Sequence, residues 1–188
     1  TPAGAIVVGD PNAHDTIEIF VDYQCPFCQQ WEKVPGAELF EQALKPASGL
    51  QIQQYTLAFL GETSPDLNPP GASARAGNAA LCVFDADGQE TFVKFSQSVY
   101  ATADPTEPPG QFPTEQLTQL ATDAGASDAA LACIQDERFV PYVAATTQAA
   151  FARGVQGTPT VAVNGTQLPN SYSDPALDTI LEQGRAQG

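Results

Sequence analysis

The pattern of apolar and polar positions changes period several times along the chain. In Thr16–Tyr23, read TIEIFVDY, residues Ile17, Ile19 and Val21 fall on one face and Phe20 on the other. A segment apolar on both faces and rich in β-branched residues is predicted to be a central strand covered on both sides. The period then becomes helical. In QCPFCQQWEKVPGAELFEQAL, residues Trp31, Val34, Leu39, Phe40 and Ala43 recur at helical spacing, with Pro26 where a first-turn proline is tolerated. Pro35 and Gly36 should kink or break this helix near its middle. A second strand is expected over Leu50–Phe59, after the loop signal of Pro46 to Gly49.

From Ser64 the texture changes. SPDLNPPG is a breaker cluster, and helical patterns follow over Ala72–Phe84, Glu90–Tyr100, Thr114–Ala124 and Ser127–Gln135. The proline-rich ADPTEPPGQFP forms a loop between the second and third. Thr114 and Ser127 each precede an acidic residue, as N-caps do. A helix over Val140–Arg153, a strand in GTPTVAVNG, a hairpin turn at Asn164-Gly165 and a last helix over Pro175–Arg185 complete the pattern. The order describes an α/β sheet interrupted once by helices. Its parts are residues 1–63, a helical insertion over 64–136, and 137–188. No internal repeat is present.

At 188 residues the chain suits one compact domain. No apolar run approaches the roughly 18 residues needed to cross a bilayer. Its 22 acidic and 7 basic residues give a net charge of -15, which argues against nucleic acid and anionic membrane surfaces as partners. The acids are scattered and read as a solvated surface. The chain has no methionine, even at position 1, and reads as a processed or excised product. Its four cysteines, an even number, point to an oxidising compartment.

Cys25 and Cys28 directly follow the first strand. A thiol at a helix N-terminus meets unpaired N–H groups and the positive end of the dipole, which stabilise its thiolate. Cys25 is placed to receive this, and Cys28 lies one turn deeper. Cys25 should therefore exchange disulfides with a partner, and Cys28 should resolve the mixed species. Zinc would need two further ligands, and the remaining Cys82, Cys133 and His14 are not paired in sequence. A purely structural Cys25–Cys28 bridge closes too short a loop to constrain the unfolded chain much. Cys82 and Cys133, in the Ala-rich NAALCVF and AALACIQ, are expected to form a buried staple. The other reading is two free, buried cysteines. Far downstream, Thr158-Pro159 opens a strand, where proline is tolerated in cis or trans.

Together, FVDYQCPFCQQW, the helical insertion and GVQGTPTVAVNG resemble the DsbA-type thiol-disulfide oxidoreductases of the thioredoxin superfamily, from Ile17 to about Leu181. The resemblance implies a thioredoxin-like fold with an inserted helical subdomain. It implies that Cys25 is the surface nucleophile, Cys28 the resolving thiol, and the Thr158–Pro159 bond cis and set against the disulfide. The backbone of Thr158 would pair with a substrate peptide, with Pro26, Phe27 and Gly157 also facing the substrate. Phe27 stands where the best-known members carry His, so a less depressed thiolate pKa and a weaker oxidant are expected. Ile19 replaces a buried acid found in several relatives. Asp22 is the candidate substitute, against an ordinary solvated or strand-end aspartate. Thr158 does not separate oxidases from isomerases.

The implied function is an extracytoplasmic oxidase that donates its Cys25–Cys28 disulfide to reduced secreted proteins. An isomerase or reductase of the same fold, or a binding module with a structural disulfide, are the alternatives. The implied partners are unfolded secreted substrates and a membrane or small-molecule re-oxidant. No metal or organic cofactor is implied, and the chain is expected to be a monomer. His14 should be solvated. Trp31 is expected in the core, with a place on a substrate-binding rim beside Phe27 as the alternative. Asn164 heads a formal glycosylation sequon.

Overall fold

The computed structural model describes residues 4–60, 70–102 and 112–186. Most of the breaker cluster, most of the proline-rich loop and the boundary at 63/64 lie outside the described residues. The sheet has five strands: β1 (Ala5–Gly9), β2 (Asp15–Val21), β3 (Leu50–Thr56), β4 (Thr160–Val163) and β5 (Thr166–Gln167). Their spatial order is β1-β3-β2-β4-β5. β2 is thus central, parallel to β3 and antiparallel to β4. Its Ile17, Ile19 and Val21 enter the main core, while Phe20 enters a second cluster with Tyr55, Leu57, Ala150 and Val155 on the opposite face. Arg153 closes that second face, 4.9 Å over the Phe20 ring and 5.2 Å over Tyr55, with its charge paired to Glu18 at 2.5 Å.

β1 is an element the hydrophobic pattern did not announce. Only Ile6 and Val8 are buried, yet every residue of AIVVG is apolar or glycine, so the alternation is invisible in sequence. β1 adds to the sheet edge antiparallel to β3. β3 ends at Thr56, three residues earlier than expected. The hairpin between β4 and β5 turns at Asn164 and Gly165, with φ of 50° and 80°. Those positive values match the two-residue turn that follows the twist of the strands.

The helix after β2 breaks as anticipated, but in three pieces: α1 (Pro26–Trp31), a π-helical turn over Glu32–Gly36, and α2 (Ala37–Leu44). Val34 has extended backbone, φ -161° and ψ 113°. The helical phase is lost there, so Val34 is 73% exposed, not on the apolar face its spacing suggested. Ala72–Phe84 and Glu90–Tyr100 are one bent helix, α3 (Ala72–Thr102). Its bend lies at Gly88, whose φ of 78° and ψ of -170° suit a residue without Cβ. α4 (Thr114–Asp123) is capped by Pro113, so Thr114 is its first residue and not its cap. Ser127 does cap α5 (Asp128–Gln135), its Oγ accepting from the Ala130 N–H at 3.4 Å. α6 (Val140–Ala152) and α7 (Pro175–Ala186) follow. Among the described residues no helix is long and apolar enough to cross a membrane.

The architecture is a mixed α/β sheet carrying a helical insertion. α3, α4 and α5 pack on one another, and the main core runs without interruption from Ile17 and Trp31 to Phe92, Phe95 and Leu117. Cys82 of α3 and Cys133 of α5 are joined in a disulfide, with a Cα separation of 5.6 Å, which discards the reading of two free thiols. The bridge spans 51 positions, and a loop of that size stabilises the fold by about 4 kcal/mol in the chain-entropy account. The double variant Cys82→Ala/Cys133→Ala is therefore expected to lose about that much unfolding free energy in denaturant titration. A loss below about 1 kcal/mol would show that the bridge adds little.

Candidate active site

β2 delivers the chain to the site. At its end Phe20 pairs with Thr160 of antiparallel β4, so the residues after β2 and those before β4 emerge side by side. The chain turns through Asp22, Tyr23 and Gln24, and the Cys25 N–H donates to the Asp22 carbonyl at 3.0 Å. Cys25 is the residue immediately before α1, and Pro26 is the first helical residue. On the other side, the Thr158–Pro159 bond is cis, and the Cys25 thiol donates to the Thr158 carbonyl at 3.3 Å. Two stretches 133 positions apart thus meet at one sulfur.

Cys25 and Cys28 are both free thiols, the reduced pair. The expected contrast in exposure is not found: Cys25 is 4% exposed and Cys28 1%. The contrast lies in proton affinity. The Cys25 pKa is lowered to about 6, chiefly by a hydrogen bond from Cys28; burial opposes this, and Thr158 and the N–H groups of Cys28 and Phe27 add to it. The sulfur makes no regular cap hydrogen bond, so these N–H groups act on it at longer range. Burial dominates at Cys28 and pushes its pKa well above the ordinary thiol value. The proximity of Cys25 raises it further, and hydrogen bonds from the Asp22 backbone and Thr158 oppose it only in part. The pair therefore holds one readily ionised and one reluctant thiol.

A third segment, before α7, ties the two halves together. Ser171 Oγ donates to the Pro159 carbonyl at 3.1 Å, and the Ser171 carbonyl accepts from Trp31 Nε1 at 2.8 Å. Tyr172 Oη donates to the Phe27 carbonyl at 2.7 Å. Trp31 is thus a buried anchor, edge-on to Phe40, and not part of a binding rim. Phe27 is 58% exposed beside the pair. Gly157, Thr158 and Pro159 are half-buried, and a side chain at 157 would meet only open space.

Asp22 is fully buried, not solvated. Its carboxylate accepts from the N–H groups of Gln24, Phe59 and Leu60 and from Ser73 Oγ, at 2.7 to 2.9 Å. Burial raises its pKa and these donors pull it down. It ties the end of β2 to the segment after β3 and to α3. Beneath the cysteines lies a polar cluster that sequence reasoning missed. Tyr23 Oη bonds Ser96 Oγ at 3.0 Å, and its ring lies 4.8 Å from that of Tyr100. Among the described residues, Glu32 Oε1 and Tyr100 Oη are buried without a hydrogen-bond partner. Burial pushes the Glu32 pKa up to about 7, against a hydrogen bond from Gln97. The spacing of Glu32, four after Cys28, was the available signal; the helical count passed over it in favour of Val34.

Elsewhere, His14 is exposed and pairs with Asp15 at 3.0 Å. Asn164 Nδ2 donates from the hairpin turn to Asp15 Oδ1 at the start of β2, at 3.0 Å. Among the described residues no group of three His, Cys, Asp or Glu is arranged to hold a metal.

Because the Glu32 carboxyl binds its proton more tightly folded than unfolded, it contributes most to stability below its unfolded pKa of 4.5. That contribution is lost as pH rises towards about 7. Glu32→Gln is therefore expected to gain about 3 kcal/mol of stability relative to the unaltered protein between pH 4.5 and 8, by denaturant titration at each pH. A pH-independent difference would place Glu32 in a solvated setting.

The family model described as Thioredoxin matches residues 1–183. Among solved structures, the chain is similar to oxidised DsbA of Mycobacterium tuberculosis, at 22% identity over 96% of this chain and 99% of that one, with a TM-score of 0.71. It is similar to the reduced disulfide bond oxidoreductase DsbG of the same organism, at 25% identity over 97% and 88%, with a TM-score of 0.73. A third is MdbA of Corynebacterium matruchotii, a thiol-disulfide oxidoreductase, at 18% identity over 94% and 88%, with a TM-score of 0.79. No curated protein matches the chain in sequence. The chain shares the fold of these structures and belongs to the thioredoxin family.

Proposed function

We propose that the protein is a thiol-disulfide oxidoreductase acting outside the cytoplasm, and that it works as an oxidase on reduced secreted proteins. The observation that carries this is the meeting of the Cys25 sulfur with the Thr158 carbonyl at 3.3 Å, with opposed proton affinities on Cys25 and Cys28. A low pKa on one sulfur stabilises the dithiol form, which makes the corresponding disulfide a better oxidant. The closed Cys82–Cys133 bridge supports an oxidising compartment.

In the working direction a substrate thiolate attacks the Cys25 sulfur of the Cys25–Cys28 bond. A substrate–Cys25 disulfide forms, and Cys28 leaves with the electron pair and takes up a proton, as its raised pKa favours. A second substrate thiolate attacks the substrate sulfur of that mixed disulfide, and Cys25 leaves as the stable thiolate. The substrate has lost two electrons and the enzyme holds them as a dithiol. A membrane or small-molecule oxidant must accept them to restart the cycle. The exposed Phe27 and the half-buried Thr158 and Gly157 offer the surface on which an extended substrate would lie.

Equilibration with glutathione buffers tests the assignment. A potential above about -200 mV supports the oxidase, a value near about -270 mV a reductase, and one below about -300 mV an inert bridge. Cys25→Ser is expected to abolish exchange; an unchanged trace would overturn the site. The thiolate absorbance of the reduced protein should titrate near pH 6. Because this pKa is lower than in the unfolded chain, the reduced protein should gain stability over Cys25→Ser as pH rises from about 6 to about 9, by about 1.4 kcal/mol per unit. A titration below about 4 would mark a stronger oxidant than Phe27 allows.

A further inference from the structure

The segment before α7 is built with more hydrogen bonds than a connection needs. Asn170 Oδ1 accepts from the Tyr172 N–H at 2.9 Å, and Asn170 Nδ2 donates to Ser173 Oγ at 3.2 Å. Asp174 Oδ1 accepts from the Ala176 N–H at 3.0 Å, which anchors the segment to the start of α7. Ser171 is held between Trp31 and Pro159 as described above. Within this segment Tyr172 is half-buried, with its hydroxyl on the Phe27 carbonyl at 2.7 Å.

That carbonyl belongs to the peptide unit whose N–H is that of Cys28. The same N–H is one of the groups that stabilise charge on the Cys25 sulfur. The hydroxyl of Tyr172, the Phe27–Cys28 peptide and the sulfur therefore stand in series. A donor on the oxygen end of an amide withdraws electron density and makes its N–H end a stronger donor. We infer that Tyr172 is a positioning residue for the redox pair: its hydroxyl polarises and fixes the Phe27–Cys28 peptide and so tightens the hold of the α1 N-terminus on the Cys25 thiolate. The inference rests on the reading of Cys25 as the exchanging thiol.

Tyr172 suits this role because it stays neutral. Desolvation and the nearby Cys28 and Cys25 raise its own pKa to about 12, so it keeps its proton while Cys25 loses one. The titratable groups bearing on the sulfur are Cys28 on α1 and Tyr172 itself. Asp22, Tyr23, Glu32 and Tyr100 belong to the layer beneath, where they act on Cys28 or on one another.

The test compares reduced wild type, Tyr172→Phe and Ser171→Ala by ultraviolet titration of the thiolate and by equilibrium with glutathione. Tyr172→Phe keeps the ring and loses only the donor. It is expected to raise the Cys25 pKa by about half a unit and to shift the glutathione equilibrium about threefold towards the enzyme disulfide. Ser171→Ala removes the neighbouring bond to Pro159 but leaves the series intact, and should move the pKa by less than about 0.2 unit. A Tyr172→Phe shift below about 0.2 unit overturns the inference, as does an equal shift in Ser171→Ala, which would mean general loosening. If the reading of Cys25 as the exchanging thiol is wrong, wild type will not exchange with glutathione at all, and that outcome is separate from either result.

Discussion

The pairing of Phe20 with Thr160 is the constraint from which the site follows. β2 sits mid-sheet, apolar on both faces, and its register is therefore fixed by burial on each side. A slip of one residue would exchange Ile17, Ile19 and Val21 with the Phe20 face and expose Glu18 to the main core. With that register held, Cys25 lies five positions beyond Phe20 and Pro159 one position before Thr160. The 3.3 Å contact between the Cys25 sulfur and the Thr158 carbonyl is thus set by the packing of the sheet, not by the loops that carry it.

What distinguishes the two thiols is then electrostatic. Both are covered to nearly the same degree, so access alone cannot assign their roles. Thr158 meets Cys25 in either protonation state: its carbonyl accepts from the thiol, and its side chain bonds the sulfur in the sense that favours the thiolate. Cys28 sits above Tyr23, Tyr100 and Glu32, in surroundings that oppose charge. The Glu32 carboxyl, held near pKa 7, and the Tyr100 hydroxyl, each with a buried oxygen that lacks a partner, cost stability, and they lie beneath the two thiols.

Much of this was legible because it depends on local sequence. The strand, the cysteines at its end, the helix they begin, the Asn164-Gly165 turn and the proline before β4 each carry a short signature. The Cys82–Cys133 pairing was expected and is present. What escaped is long-range or depends on phase. β1 has no alternation to show because all its residues are apolar or glycine. The exposure of Val34 and the burial of Glu32 follow from one π-helical turn, which no 3.6-residue count anticipates. The four donors on Asp22 come from three separate places in the chain, and the bonds of Ser171 to Trp31 and of Tyr172 to Phe27 reach back about 140 positions. No periodicity in the sequence encodes such contacts.

On the proposed function the same chemistry serves two opposite ends in this chain, and magnitudes explain the division. Closing the 51-position loop between Cys82 and Cys133 stabilises the fold by about 4 kcal/mol, whereas closing the short Cys25–Cys28 loop gives only about 2 kcal/mol. At neutral pH the lowered pKa of Cys25 adds about 1.4 kcal/mol in favour of its dithiol, whereas a thiol of ordinary pKa stays protonated at that pH and adds none. The two pairs thus differ by more than 3 kcal/mol, over two orders of magnitude in the equilibrium between disulfide and dithiol. A pool of thiols that reduces Cys25–Cys28 will leave Cys82–Cys133 closed. On the proposed function, one bridge would cycle on a scaffold that the other keeps intact.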